Sequence, residues 1–248
     1  MVDAVDWLMP DWPVPAGIRA VCTTRAGGVS QGAFGGLNLG GHVGDDPACI
    51  AANRAQLQAA VGVRPVFLRQ VHGTDVLPID ASTPDGAVAD ACTTIDAGIA
   101  CTIMVADCLP VLFTDREGRR VAAAHAGWRG LAAGVLERTA AAFGDTRPMA
   151  WLGPCIGPHA FEVGDEVRAA FVAQAAGAAA CFRPGPAPGK WWADLPGLAR
   201  QRLRAAGLEA VYGNDGSDAW CTVRNPLRFF SHRRDGVSGR FAAAVWRD

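Results

Sequence analysis

Two histidines and one cysteine, in three separate segments, are the residues of this sequence best suited to chemistry. His72 lies in QVHGTD (70–75), Cys108 in ADCLP (106–110) and His125 in AHAGW (124–128). Two imidazoles and one thiolate form a ligand set that suits zinc, and three protein ligands leave the fourth tetrahedral position of the ion free. The sequence therefore predicts a catalytic zinc site, with copper as a less favoured ion.

A predicted strand ends at the first ligand, and a Gly-rich loop occurs earlier in the chain. Residues 66–71 are expected to form a strand that ends at His72. Residues 26–36 contain too many glycines for regular structure and are typical of a functional loop, and His42 follows them closely. Strand ends and the loops they support are where α/β proteins usually assemble sites, so we expect both histidines near the site.

The other two ligands flank a predicted hairpin. Residues 111–114 and 120–124 are short apolar segments joined by a turn over 115–118. Cys108 precedes the first of these strands, and His125 follows the second. In an antiparallel pair the start of one strand lies beside the end of the other, so we expect the thiol and the imidazole at the same end of the hairpin.

The rest of the sequence alternates predicted strands with predicted helices. Residues 99–105 form an apolar run of the length of a buried strand. Asp46 and Pro47 predict the start of a helix, and Gly62 predicts its end. No linker or repeat divides the chain, so we predict a single α/β domain over residues 1–248 with mixed β-sheets. Further helices are expected over 127–143, 163–175 and 195–206, and further strands over 18–24, 76–79, 150–152, 209–212, 229–230 and 240–246.

Composition argues against several classes of protein. The 248 residues carry 23 Lys plus Arg against 24 Asp plus Glu, and this balance argues against a nucleic-acid partner bound through phosphate contacts. No apolar run is long enough to cross a bilayer, and residues 1–7 lack the basic start of a signal peptide. Eight scattered cysteines without a CxxC pair are typical of reduced thiols. We therefore expect a cytoplasmic protein with no membrane partner.

Several longer motifs occur in order along nearly the whole chain. They are TTRAGGVS (23–30), LNLGGHVGD (37–45), QVHG (70–73), ADCLPV (106–111), HAGWRG (125–130), GPCIG (153–157) and FFSHRRD (229–235). Together they resemble the YfiH-like family, whose members are described as polyphenol oxidases with a laccase domain or as purine nucleoside phosphorylases. The residues that match the three family ligands show no departure from the pattern.

The resemblance implies a fold, a metal and an activity. It implies a layered α/β/β/α fold, similar to the deamidase domain of cytotoxic necrotising factor. It implies one zinc ion held by His72, Cys108 and His125, with Cys108 and His125 also taking the catalytic roles. The implied substrates are phosphate and the purine nucleosides adenosine, inosine, guanosine and methylthioadenosine, and adenosine deamination is implied as a second reaction. We expect a monomer or a weak homo-oligomer.

Four residues within the matched motifs are predicted to bind substrate: Arg25, Asn38, His42 and Arg129. Phosphorolysis requires a phosphate site, and the fork of an arginine matches phosphate oxygens. Arg129 is the best placed of the arginines, because it lies in the first turn of a predicted helix, where backbone N–H groups also favour an anion. Asp75 and Asp107 are possible partners for the ligating imidazoles, and an ordinary turn role for each is equally compatible with the sequence.

Two other activities compete with this interpretation. Cys108 could act as the nucleophile, and His125 as the base, of a metal-free hydrolase that cleaves an amide, as in peptidoglycan precursor editing. A copper-dependent polyphenol oxidase is the second alternative. A four-copper laccase needs many imidazoles, and the chain has only five histidines and no His-X-His pair. The ligand count therefore argues against that class, although weak oxidation by copper at the same three ligands stays open.

Overall fold

The computed structural model describes residues 6–146 and 148–248. The prediction about a signal peptide concerns residues 1–7, most of which lie outside the described residues. The helices are α1 (Pro47–Val61), α2 (Trp128–Ala133), α3 (Val135–Ala141), α4 (Asp165–Val172), α5 (Leu195–Ala205) and α6 (His232–Asp235). The strands are β1 (Ile18–Cys22), β2 (Arg64–Phe67), β3 (Val76–Pro78), β4 (Ala91–Thr94), β5 (Ile99–Val105), β6 (Leu109–Thr114), β7 (Val121–Ala126), β8 (Met149–Leu152), β9 (Glu162–Gly164), β10 (Phe182–Pro184), β11 (Lys190–Ala193), β12 (Val211–Gly213) and β13 (Phe241–Arg247).

Two mixed sheets form the centre of the molecule. The first has the strand order β1-β13-β5-β2, and the second has the order β12-β8-β6-β7-β4-β3. Each sheet contains parallel and antiparallel neighbours: β2 runs parallel to β5, for example, whereas β6 runs antiparallel to β7. A third, smaller sheet has the order β10-β11-β9. The predicted α/β class with mixed sheets is therefore confirmed.

The two large sheets pack face to face, and helices cover their outer faces. Buried side chains from both sheets, among them Ile103, Val245 and Leu112, share one hydrophobic cluster between them. On the outer face of the first sheet, Leu57 of α1 packs with Phe67. On the outer face of the second sheet, α2, α3 and α5 contribute to the largest cluster. The order of layers is α/β/β/α, as the resemblance implied.

Local signals predicted some elements well. The helix α1 begins after Asp46, whose side chain accepts a hydrogen bond from the N–H of Ala48, and it ends at Gly62 in the left-handed conformation. The buried strand 99–105 is confirmed with its bounds. The hairpin is also confirmed, although its strands are longer than predicted and reach the ligands, because Pro110 pairs with His125.

Several predicted elements were wrong in detail; residues 163–164 of the predicted helix over 163–175, for example, belong to β9. The strand at 66–71 ends at Phe67, and the residues that follow form only an isolated bridge between Arg69 and Val88. The helix over 127–143 is two helices, because Gly134 has a φ of 99° that breaks the helical path between them. Residues 229–230 form no strand, although both phenylalanines are buried, so their apolar character reflects core packing. Within the described ranges, no helix is both long and apolar enough to span a bilayer.

Candidate active site

The structure brings the three predicted ligands together. One ligand atom each from His72, Cys108 and His125 lies within 4.8 Å of the other two, and Cys108 Sγ is 3.8 Å from His72 Nε2. The two imidazole rings meet edge to face, with centroids 4.7 Å apart. Zinc bonds of about 2.0–2.3 Å in a tetrahedron would separate the ligand atoms by roughly 3.3–3.8 Å. The donor types suit such an ion, and the widest separation of 4.8 Å would have to close by about 1 Å.

Backbone with a positive φ angle orients two of these ligands. His72 has a φ of 61°, and Asp107, the residue before Cys108, has a φ of 90°. No other non-glycine residue in the ranges 6–146 and 148–248 has a positive φ. Such conformations are costly for residues with a side chain and cluster at functional sites. The fold thus holds strained backbone beside two of the three ligand atoms.

A buried carboxylate holds the loop of the first ligand and the ring of the third. The Asp90 carboxylate accepts hydrogen bonds from the backbone N–H groups of Val71, His72 and Gly73, at 3.1, 2.9 and 2.6 Å. The same carboxylate lies 2.8 Å from Nδ1 of His125. The hydrogen bond from Nδ1 to Asp90 orients the ring so that a metal could bind Nε2 in place of its proton.

Gly127 has no side chain, and this leaves room for the ligand cluster. A Cβ atom built there would lie 2.7 Å from His72 Cδ2 and 3.0 Å from Cys108 Sγ. These separations are shorter than real Cβ contacts. The backbone of Gly127 has a φ of −66°, which any residue adopts, so the glycine is needed for space rather than for conformation.

The thiol and the buried imidazole form an ion pair when no metal is present. Burial acts to raise the pKa of Cys108, but the charge of His125 and hydrogen bonds from both imidazoles outweigh it and lower the pKa to about 6. Burial acts to lower the pKa of His125, but the Cys108 thiolate and the hydrogen bond to Asp90 raise it to about 9. The thiolate is therefore the dominant form of Cys108 at neutral pH, as metal ligation requires.

Two cavities meet at Cys108. The first has a volume of about 210 Å³ and a largely apolar wall. Trp128 contributes an aromatic surface to it, and Ile156, Phe161 and Leu195 contribute buried apolar side chains. A flat apolar group is the ligand that such a wall accommodates, because aromatic faces stack and the apolar surface gains by leaving water.

The second cavity has a volume of about 250 Å³ and is lined by all three ligands; because it has more polar side chains than the first, we call it the polar cavity. Its other polar side chains are His42, Gln70, His232 and Arg240, and no carboxylate lines it. Gln70 acts as a brace, since its amide pairs with both the N–H and the carbonyl of Met104 at the end of β5. His232 lines both cavities.

Of the four predicted substrate contacts, only His42 lines the polar cavity. Arg25 donates instead to the carbonyls of Pro226 and Gly35. Arg129 is exposed, and its guanidinium stacks on Trp128 with 4.4 Å to the ring centroid. The structure therefore does not bring these two arginines into either cavity.

Asn38 is fully buried below the Gly-rich segment. Its Oδ1 accepts the N–H groups of Gly40 and Arg240, and its Nδ2 donates to Asp45. Every polar atom of this side chain is used within the protein. Asn38 thus organises the loop of 38–45 and does not line the cavities.

Neither acidic residue that the sequence suggested as a partner of an imidazole has that contact. Asp75 is exposed. The Asp107 carboxylate accepts from Thr222 Oγ1 and from the N–H of Arg233. The sequence reasoning missed Asp90, Arg240 and the aromatic wall of Trp128. Asp90 directly precedes a strand that the pattern did not reveal, and recognising β4 would have placed this acidic residue at a strand end.

Fold and site together define a layered α/β protein in which two histidines and a cysteine that could hold a metal lie between an apolar and a polar cavity. The chain belongs to the YfiH-like family: the family model described as multi-copper polyphenol oxidoreductase laccase matches residues 19–248. A purine nucleoside phosphorylase of Pseudomonas aeruginosa is 54% identical over 242 residues, which cover 97% of this chain and 98% of the relative. The purine nucleoside phosphorylase YfiH of Escherichia coli is 49% identical over 244 residues, or 96% and 98% of the two chains.

Solved structures share the fold. The crystal structure of a Neisseria meningitidis protein is 48% identical and superposes with a TM-score of 0.93, covering 98% of this chain and 99% of that protein. YlmD of Geobacillus stearothermophilus is 30% identical, with a TM-score of 0.87 and coverage of 100% and 98%. The layered architecture is therefore a property of the family.

Proposed function

We propose that this chain is a zinc-dependent purine nucleoside phosphorylase that acts on adenosine, inosine, guanosine and methylthioadenosine. One observation carries the proposal: the ligand atoms of His72, Cys108 and His125 lie together where an apolar cavity and a polar cavity meet. The names of the relatives from Pseudomonas aeruginosa and Escherichia coli support the same reaction. We also propose a cytoplasmic location, which the eight free cysteines support.

Different residues would bind the metal, the purine base, and the ribose and phosphate. His72, Cys108 and His125 would hold zinc, which supplies a Lewis acid at its open fourth position. Asp90 accepts a hydrogen bond from Nδ1 of His125 and so orients Nε2 of that ring towards the metal position. The apolar cavity beside Trp128 takes the purine base, and the polar cavity takes the ribose and the phosphate.

The proposed reaction is a displacement at the sugar. A phosphate oxygen forms a bond to C1′ of the ribose, and the bond between C1′ and the purine nitrogen breaks. The electron pair of that bond leaves with the purine, and the proton of hydrogen phosphate ends on the base. Adenosine deamination at the same site would be a hydrolysis, in which water replaces the amino group at C6 and ammonia leaves.

The pairing of Cys108 with His125 favours one second candidate, a metal-free amide hydrolase. A thiol with a pKa lowered to about 6 beside a buried imidazole is an activated nucleophile. A copper-dependent oxidase has weaker support. The chain has five histidines, and in the described residues only one cluster of at least three His, Cys, Asp or Glu side chains could hold a metal.

One experiment separates these activities. Purified protein is analysed for metal, then loaded with zinc or copper and incubated with inosine in the presence or absence of phosphate. We expect equal amounts of ribose 1-phosphate and hypoxanthine, only with phosphate and only in the zinc-loaded protein. Cys108→Ala should lose both metal and activity, whereas Cys49→Ser should keep both.

The rivals have their own readouts. Release of an amino acid from a peptidoglycan precursor by metal-free protein, with loss of that release after alkylation of Cys108, would support the hydrolase instead. Oxidation of a polyphenol that requires added copper would support the oxidase. A fully active, metal-free Cys108→Ala variant would refute the proposed zinc site.

A further inference from the structure

We propose that Arg240 binds the phosphate co-substrate in the polar cavity. This inference rests on the proposed phosphorylase function, and it assigns the anion subsite to a residue outside the arginines that the sequence motifs suggested. Arg240 directly precedes β13 and lines the same cavity as His72, Cys108 and His125. No other arginine lines that cavity.

The guanidinium of Arg240 is hydrogen-bonded to the protein through one nitrogen and leaves its other two nitrogens for a ligand. Its Nη1 donates to the carbonyls of Ser238 and Gly239, at 2.8 and 3.0 Å, and to Ser238 Oγ at 3.3 Å. Within the described residues, Nε and Nη2 make no hydrogen bond to the protein. These two nitrogens form the edge of the fork that binds two oxygens of a phosphate side by side. The side chain is thus positioned with its binding edge unused.

No acidic side chain neutralises this arginine inside the cavity. The cavity lining contains no Asp or Glu, and Arg240 forms no salt bridge in the described residues. The charge of Asp107 reaches Arg240, but this carboxylate accepts its hydrogen bonds from Thr222 and from the N–H of Arg233 and forms none with Arg240. A divalent ion with one thiolate and two neutral imidazoles would leave one further positive charge. With Arg240 the total would be two positive charges against the single negative charge of Asp107, so the cavity attracts an anion such as phosphate.

The surrounding loop places the side chain. A Cβ atom at Gly40 would lie 2.7 Å from Cγ and 3.1 Å from Cβ of Arg240, so only glycine lets the arginine stem lie across this loop. Asn38 Oδ1 ties the two together by accepting the N–H of Gly40 at 3.0 Å and that of Arg240 at 2.8 Å. The arginine is therefore preorganised before any ligand arrives.

The other arginines near the site lack this combination. The Arg25 fork is used by two backbone carbonyls, and Arg129 lies exposed on a tryptophan. Arg233 is exposed beside the apolar cavity and donates to the carbonyl of Glu162. Arg233 shares only Cys108 with its cavity, whereas Arg240 lines the cavity that contains all three proposed metal ligands.

The test compares phosphate binding and steady-state kinetics in five variants, of which Arg129→Met examines the arginine that the sequence favoured. Arg240→Met removes the charge at similar length, and Arg240→Lys keeps the charge but loses the fork. Gly40→Ala keeps the arginine but displaces it. Arg69→Met is the matched control, because Arg69 is exposed near His42 and Met104 but does not line the polar cavity. Each protein is titrated with inorganic phosphate by calorimetry, with and without zinc, and its thermal unfolding is recorded.

We expect Arg240→Met to weaken phosphate binding and to raise the KM for phosphate by about 10- to 100-fold, as for the loss of hydrogen bonds to a charged group. The KM for inosine should change by less than about threefold, because the arginine does not contact the base. Arg240→Lys should recover part of the phosphate affinity, Gly40→Ala should weaken it, and Arg69→Met should leave it unchanged. A merely structural role would lower the unfolding temperature without this selective effect on phosphate.

The outcomes separate the subsite from the reaction. If folded Arg240→Met binds phosphate as tightly as the parent, the inference is overturned while ribose 1-phosphate formation can still support the phosphorylase. If Arg129→Met raises the KM for phosphate and Arg240→Met does not, the inference is likewise overturned. A further outcome is that the parent protein binds phosphate and forms no ribose 1-phosphate, while Arg240→Met binds phosphate more weakly. In that case the proposed function fails and the anion subsite stands.

Discussion

The imidazole Nδ1 atom of His125 lies 2.8 Å from Oδ1 of Asp90, and both side chains are buried. The same carboxylate caps the three successive N–H groups that begin the loop carrying His72. One acidic residue therefore orients one ligand through its ring and another through its backbone. Because the two ligands come from distant parts of the chain, Asp90 couples their positions in a way that neither strand end alone would achieve.

Replacing Asp90 by asparagine should weaken the metal site. The amide has only one acceptor oxygen, and its NH₂ group would face N–H donors, so we expect zinc affinity to fall by about 10- to 100-fold. The free energy of unfolding should fall by about 1–3 kcal/mol, because buried donors lose their acceptor. Competition with a chelator measures the first effect and denaturant unfolding the second. Asp75→Asn, at an exposed position, is the control, and equal zinc affinity in both variants would contradict the assignment.

Adding one methyl group at Gly127 should displace the ligands without unfolding the protein. The new Cβ would lie 2.7 Å from a carbon of the His72 ring and 3.0 Å from the Cys108 sulfur, so one ligand must move. We expect Gly127→Ala to lower zinc affinity by at least about tenfold. Gly177→Ala is a matched control, since a Cβ there meets no atom within 4 Å. Zinc content after dialysis, with circular dichroism as a check on the fold, tests the prediction, which fails if the two variants retain equal zinc.

The reactivity of Cys108 in metal-free protein should reach its plateau at an unusually low pH. Its pKa is lowered to about 6, so the nucleophilic thiolate forms as the pH rises through 6 and dominates at pH 7. An ordinary thiol, with a pKa of about 8.5, continues to gain reactivity up to pH 9. Alkylation by iodoacetamide, followed by peptide mass spectrometry, measures the rate at each pH, and bound zinc should protect the thiol. A rate that keeps increasing between pH 7 and 9 would show that His125 does not stabilise the thiolate.

Trp128 should affect the nucleoside and not the phosphate. Its ring forms part of the apolar cavity, and loss of a stacking surface for a base typically costs 1–3 kcal/mol. We therefore expect Trp128→Ala to raise the KM for inosine by about tenfold or more and to leave phosphate binding within about twofold. Trp128→Phe keeps a flat ring and should recover most of the affinity. An unchanged KM for inosine in Trp128→Ala would show that the base does not bind in this cavity.

Local sequence was enough to identify the elements that have clear boundary signals. The helix after Asp46 and the strand over 99–105 were predicted because a capping side chain, a following glycine and an unbroken apolar run act within a few residues. The three ligand residues were also recognisable, since their chemistry depends on side-chain type and each lies next to an apolar segment. The long helix after Gly127 was predicted less well, because the break at Gly134 depends on one φ angle that helical periodicity does not reveal.

The sequence alone determined which donors this protein possesses, and the tertiary structure decided which of them meet. Arg240 is positioned by Gly40 and Asn38, which lie about two hundred residues earlier in the chain. Asp90 reaches His125 across a pair of adjacent strands, one of which the pattern did not indicate. Residue type and periodicity report only on neighbours along the chain, whereas hydrogen bonds and steric fit act between atoms a few ångströms apart in space. The site therefore required the packed sheets and loops before its partners could be named.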